Sequence, residues 1–243
     1  MDDILVLAND ELKLENDMEN AIHILELASL PTHKYVSNSV KTLEKFPKEK
    51  LFESDRVSIL GTMWNPAMDE ITFNFIPSPL TDEVTEESGS RAILTKRSLL
   101  STLAKIFNSQ GTLSPYILST RLTLQKDWEQ QLTWDEPLKD KILQEAEMFL
   151  SELDQLKDLT QPRCFLKSAE SKITELAIFA DASSKAYAAV VYAISIDPDG
   201  FRTSNLVFSK LRVRPLSKEL GKLSEQMSIC RLELLAALLA AKI

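Results

Sequence analysis

Near residue 170 the chain changes from helical to strand periodicity, and this switch limits its possible folds more than any other feature. Leu176-Ala-Ile-Phe-Ala-Asp181 is one short apolar run, and Ala186 to Ile196 is a second, rich in β-branched and aromatic residues. Asp197-Pro198-Asp199-Gly200 supplies a turn, and Asn205 to Ser209 a third strand. Three strands joined by short turns predict an antiparallel meander. A strongly helical stretch, Arg231 to Ile243, follows without a C-terminal cap.

Upstream the pattern is mainly helical. Asn9 or Asp10 can cap a helix whose apolar positions Leu14, Met18, Ile22, Leu25 and Ala28 recur every three or four residues until Pro31 stops it. Val57–Trp64 and Glu70–Phe75 alternate around Asn65-Pro66-Ala67-Met68-Asp69 and predict a hairpin. Residues Pro77 to Ser90 read as a loop. Three helices are expected next: Thr95–Phe107 (Leu99, Leu103, Ile106), one from Pro115 carrying Ile117, Arg121, Leu124 and Trp128, and Pro137–Leu159. Their apolar stripes are read as core-packing faces.

Composition narrows the chemistry. Five glycines in 243 residues form neither GxxxxGK[ST] nor GxGxxG, so phosphate-cradling loops are excluded. Cys164 and Cys230 make no disulfide framework, and His23 and His33 offer little for zinc. With no apolar run of about 18–20 residues and no signal peptide, the expectation is an intracellular protein, cytoplasmic or nuclear, with no membrane partner. The net charge is −8, yet residues 91–126 hold six bases and no acid, and residues 201–218 hold five more and no acid. Such blocks either face nucleic-acid phosphates or pair with acids elsewhere in the fold. The phosphate-facing candidates are Lys96, Arg97, Lys105, Lys210, Arg212 and Arg214.

Four carboxylates could carry chemistry. Asp2-Asp3, followed by apolar Ile4-Leu5-Val6, suits a hairpin turn that holds divalent metal. Asp181 ends a strand, and Glu233 lies among Leu232, Leu234, Leu235, Ala236 and Ala237, where a carboxylate is costly unless paired or metal-bound. The alternatives are a solvated chain start, a turn aspartate and a solvated helix glutamate. If strand and helix pack together, the Asp181 and Glu233 carboxylates are expected within about 4–8 Å, able to share one or two ions. No GxSxG and no Asp-(Thr/Ser)-Gly occurs, so nucleophilic and aspartic hydrolase chemistry lack support.

These residues resemble BEL/Pao-type retrotransposon polyproteins. Met1-Asp2-Asp3-Ile-Leu-Val resembles the Tyr-x-Asp-Asp signature of reverse transcriptases without its first residue. Leu60-Gly-Thr-Met-Trp64 with Asp69 is similar to that family's LGxxW…D hairpin. Thr95-Lys96-Arg97, Ile106-Phe107 and Gly111-x-Leu-Ser-Pro115 are similar to its TKR…FDPxGxxxP stretch, continued by Gln125, Trp128 and Trp134-Asp135-Glu136. Phe179-Ala-Asp-Ala-Ser183, Ala186-Tyr-Ala, Ser209-Lys210 and Arg231-Leu-Glu-Leu-Leu-Ala236 resemble the first half of its ribonuclease H domain. Asn108-Ser109 replaces the family's Asp-Pro, and Cys230 its Pro before Arg-Leu-Glu-Leu.

The resemblance implies an α+β chain in two parts. Residues 1–160 would be the end of a polymerase palm, a hairpin and a helical thumb or connection. Residues 172–243 would be a truncated ribonuclease H-like antiparallel sheet with one helix. It implies Mg2+ as cofactor, in two-metal sites incomplete here, with Asp2, Asp3, Asp181 and Glu233 as catalytic and metal-binding residues. The implied partners are the rest of the polyprotein and, weakly, an RNA–DNA hybrid or template-primer. The expected function is a pol fragment related to RNA-directed DNA polymerase and ribonuclease H, inactive alone. Alternatives are a non-catalytic nucleic-acid- or protein-binding remnant and, with least support, the aspartic peptidase that the name "Pao retrotransposon peptidase family" suggests.

Overall fold

A computed structural model describes residues 3–59, 61–73, 93–129, 132–166, 168, 170–216 and 227–243. Asp2, Leu60, the end of the second hairpin strand, the 77–90 loop, Arg91 and Lys218 lie outside the described residues. The chain forms two compact units, residues 1–74 with 159–171, and residues 75–158 with 172–243. This partition differs from a break between 160 and 172. The helices between 93 and 158 fall in the unit that holds the C-terminal strands.

In the first unit, Asp10 caps helix α1 (Glu11–Leu27), its carboxylate accepting from the Lys13 amide at 2.8 Å. Leu14, Met18, Ile22 and Leu25 form the half-buried face, and no residue of α1 is fully buried. Helix α2 (Val40–Glu44) follows. Lys41 and Lys45 reach back to Glu11 and Glu15 at 3.1 and 2.7 Å, consuming part of the acidic surplus of α1.

The stretch 57–64, expected as one strand, is two. The chain reverses between β1 (Val57–Ile59) and β2 (Thr62–Asn65), with Gly61 at φ +82°, a left-handed conformation that glycine adopts without a Cβ penalty. The hairpin at 65–69 forms as expected, leading to β3 (Glu70–Phe73), and β4 (Thr160–Pro162) completes an antiparallel sheet in the order β1-β2-β3-β4. The LGxxW…D residues have a structural job here. Arg163 grips Asp69 through two hydrogen bonds of 2.6 and 2.8 Å, and the Trp64 indole donates to the same carboxylate at 2.9 Å. Burial pushes the Asp69 carboxyl up, but the Arg163 fork and the Trp64 indole outweigh it, so its pKa is held below the ordinary value. A lowered pKa adds stability above the ordinary carboxylate range and loses it as pH falls through the lowered value. Asp69→Asn is therefore expected to reduce the acid sensitivity of this unit, read as a smaller loss of its near-UV signal between neutral and strongly acid pH.

The second unit begins with α3 (Lys96–Lys105), opened by a reciprocal capping box between Thr95 and Ser98. Helix α4 (Ser114–Glu129) and α5 (Asp140–Leu153) follow, and a 3-10 turn (Asp154–Asp158) replaces the last turn expected of α5. Leu99, Ile106, Leu113, Ile117, Leu124, Ile142, Ala146 and Phe149 are all buried. The stripe of α4 is rotated from the one expected. Ile117, Thr120, Leu124 and Asp127 are buried, whereas Arg121 is exposed and Trp128 retains 42% of its exposure.

The meander forms, with longer strands than the apolar runs alone suggest: β5 (Lys172–Ala182), β6 (Ala186–Ile196) and β7 (Arg202–Val213), in the order β5-β6-β7. Helix α6 (Ile229–Ala240) starts at Ser228 and lays Leu232, Ala236 and Leu239 on Tyr187 and Ala189 of β6, with Ala182 at the margin. The strictly alternating burial of β6 beyond Tyr187 marks this as the covered face.

Candidate nucleic-acid interface

The pairing register fixes where the sequence-selected residues point. Ala182 pairs with Tyr187 and Ala180 with Ala189, so these four share one face of the sheet, on which Tyr187, Ala189 and Ala182 pack against α6 and Ala180 stays exposed, while Asp181 pairs with Ala188. Backbone alternation therefore directs Asp181 to the opposite face. Its Oδ1 accepts from the next amide, Ala182 N, at 2.8 Å. Glu233 follows the fully buried Leu232, lies on the flank of the packed stripe and is exposed. Asp3 is exposed at the chain start, outside any regular element.

Hard carboxylate oxygens suit Mg2+ in kind. Among the described residues, however, no group of three or more His, Cys, Asp and Glu side chains could hold a metal ion. Asp3, Asp181 and Glu233 are the described carboxylates that the sequence reading assigns to an ion, and no chemical step is placed on one.

The six candidate cations separate sharply. Lys96 is not a surface cation: its side chain is 3% exposed, 3.4 Å from the Asp127 carboxylate, itself 1% exposed. Its ammonium donates to the Leu132 carbonyl at 2.6 Å and lies 5.4 and 5.8 Å from the ring centres of Trp128 and Trp134. Burial raises the pKa of Asp127 against the pull of the Lys96 ammonium. The expected phosphate-facing position is a core ion pair in an aromatic box.

Arg97 is exposed but committed, donating to both oxygens of Asp135 at 2.7 and 3.0 Å while its guanidinium lies over the Trp134 ring. Arg214 is largely buried and stands 3.8 Å from Glu129. Lys105, Lys210 and Arg212 have no ion-pair partner among the described residues, and Lys210 and Arg212 are exposed. Lys210 pairs with Ala189 and Arg212 with Tyr187 across the β6–β7 ladder, so both stand on the face that carries α6. Among the described residues of the basic block at 201–218, Lys210 and Arg212 are the cations without an ion pair, while in the block at 91–126 Lys96, Arg97 and Lys126 pair with acids and Lys105 and Arg121 do not.

The second unit is a mixed α/β domain, an antiparallel meander backed by a helix, and that architecture is compatible with a ribonuclease H-like fold. A family model described as "Pao retrotransposon-like RNaseH-like domain" matches residues 95–243. The chain belongs to this family and is a Pao/BEL retrotransposon pol region. The match begins at the cap of α3, so it takes in the helices as well as the strands, in line with the second compact unit. No curated protein matches the chain. Among the described residues, no helix is long and apolar enough to cross a membrane.

Proposed function

We propose that this chain serves a retrotransposon pol polyprotein by holding an RNA–DNA hybrid on the face formed by β7 and α6, without cleaving it by itself. One observation carries the reading: Lys210 and Arg212 alternate on β7, project to the same side as α6, and have no ion-pair partner among the described residues. Cations spaced along a strand match a phosphate backbone, and their attraction supplies sequence-independent affinity despite the net charge of −8. The relation to a reverse transcriptase, through Asp2-Asp3, belongs to this proposal and rests on the resemblance of those residues alone. Family membership and the polyprotein context support a nucleic-acid partner.

Binding of a labelled hybrid is expected to weaken steeply with salt. Lys210→Ala with Arg212→Ala should flatten the slope of log K against log salt by about two units, one for each cation removed from a phosphate. Arg97→Ala, which breaks the pair with Asp135 and the contact with the Trp134 ring, should leave the slope as it is. An unchanged slope in the folded Lys210/Arg212 variant would overturn the reading. Mg2+-dependent cleavage of the hybrid that Asp181→Asn abolishes would overturn its non-catalytic part.

A further inference from the structure

The outer edge of β7 is covered by side chains and a loop where a neighbouring strand would otherwise lie. The Ser209 amide donates to the Gln110 carbonyl at 2.7 Å, and Ser209 Oγ donates to the Gly111 carbonyl at 2.8 Å. Further along, Arg121 Nη1 donates to the Leu211 carbonyl at 3.2 Å, and the buried Gln125 Nε2 donates to the Arg214 carbonyl at 2.5 Å. Glu129 closes the row on the Arg214 guanidinium. Residues 108–113 and α4 therefore run along β7 and satisfy edge groups that would otherwise stay unpaired, one of the ways proteins blunt a sheet edge.

The spacing is informative. The row holds β7 at Ser209, Leu211 and Arg214, and the free cations Lys210 and Arg212 lie between those points. Holding the backbone on both sides of each cation fixes the direction in which the intervening side chains project. We propose that this row is a positioning strap: Gln125, Ser209 and the 110–111 carbonyls pre-order β7 so that Lys210 and Arg212 meet a hybrid backbone without a further ordering cost. The inference rests on the hybrid-binding reading above and adds the positioning residues to it. Pre-ordering acts by lowering the entropy lost on binding and leaves the number of phosphates touched unchanged.

That distinction supplies the test. The full chain carrying Ser209→Ala and Gln125→Ala keeps every charge but loses two clasps. Its hybrid affinity is expected to fall about threefold to tenfold at every salt concentration, with the salt slope unchanged. Hydrogen exchange of the Ser209 amide should accelerate at least about tenfold while that of Val191, in the middle strand, stays as in the parent. Accelerated exchange with unchanged affinity would overturn the positioning role, and so would unaltered exchange at Ser209. An unchanged salt slope in the Lys210/Arg212 variant would instead remove the hybrid-binding reading beneath it. If Val191 also exchanges faster, the single variant Gln125→Ala carries the same comparison with the Ser209 clasp intact.

Discussion

Replacing Asp127 by alanine is expected to cost the second unit about 3–5 kcal/mol, because it leaves the Lys96 ammonium buried without a counter-charge. Lys96 and Asp127 are 3% and 1% exposed and 3.4 Å apart, so the loss is not softened by water as it would be at the surface. The Leu132 carbonyl and the two tryptophan rings remain near the ammonium, but none of them carries a negative charge. Removing both charges is a different experiment. Lys96→Met with Asp127→Leu should fall far closer to the parent, since apolar groups of similar volume often replace a buried pair at little or no cost. Urea unfolding of the two single variants and the double variant gives the coupling directly. A single-variant cost below about 1 kcal/mol would show that Lys96 is hydrated or neutral in the fold.

The same residue pair separates what is legible in the sequence from what is not. The caps at Asp10 and Thr95, the 65–69 hairpin turn and the three-strand meander are local, written in residues that touch within a few positions. The strands outrun their apolar runs because polar residues such as Lys172, Arg202 and Arg212 sit inside the ladders, where pairing and not hydrophobicity sets the limits. Lys96 misleads because Thr95-Lys96-Arg97 looks like one basic motif, while a helix turns adjacent residues onto different faces. A signal is present: Lys96, Leu99, Leu103 and Ile106 follow the three- and four-residue spacing of an inward stripe, as Ile117, Thr120, Leu124 and Asp127 do on α4. Opposite charges on the inward stripes of neighbouring helices point to a buried pair. The facing of Asp181 depends on which side of the sheet α6 covers, and that is set by the pairing of Ala182 with Tyr187. The strap on β7 spans about ninety residues of sequence (Arg121 to Leu211), and nothing local announces it.

Gly111 offers the sharpest check on that long-range contact. It stands at φ +83°, and a Cβ there would lie 2.0 Å from the Ser209 carbonyl oxygen and 2.4 Å from Ser209 Oγ. Gly111→Ala must therefore push β7 away from the loop, because a backbone carbonyl cannot rotate aside as a side-chain tip can. Two hydrogen bonds go with it, the 2.7 Å bond from the Ser209 amide and the 2.8 Å bond from its hydroxyl, at about 1 kcal/mol each. The left-handed backbone adds roughly 1–2 kcal/mol for any residue with a Cβ. Together these give an expected loss of about 3–4 kcal/mol. Gly200, in the Asp199-Gly200 turn before β7, separates the two contributions: its φ is +85°, but a Cβ there would meet nothing within 4 Å. Gly200→Ala should show the backbone cost alone, about 1–2 kcal/mol. Equal losses for the two variants in urea unfolding would mean that β7 moves freely off the loop, and the contact between Gly111 and Ser209 would then hold nothing in place.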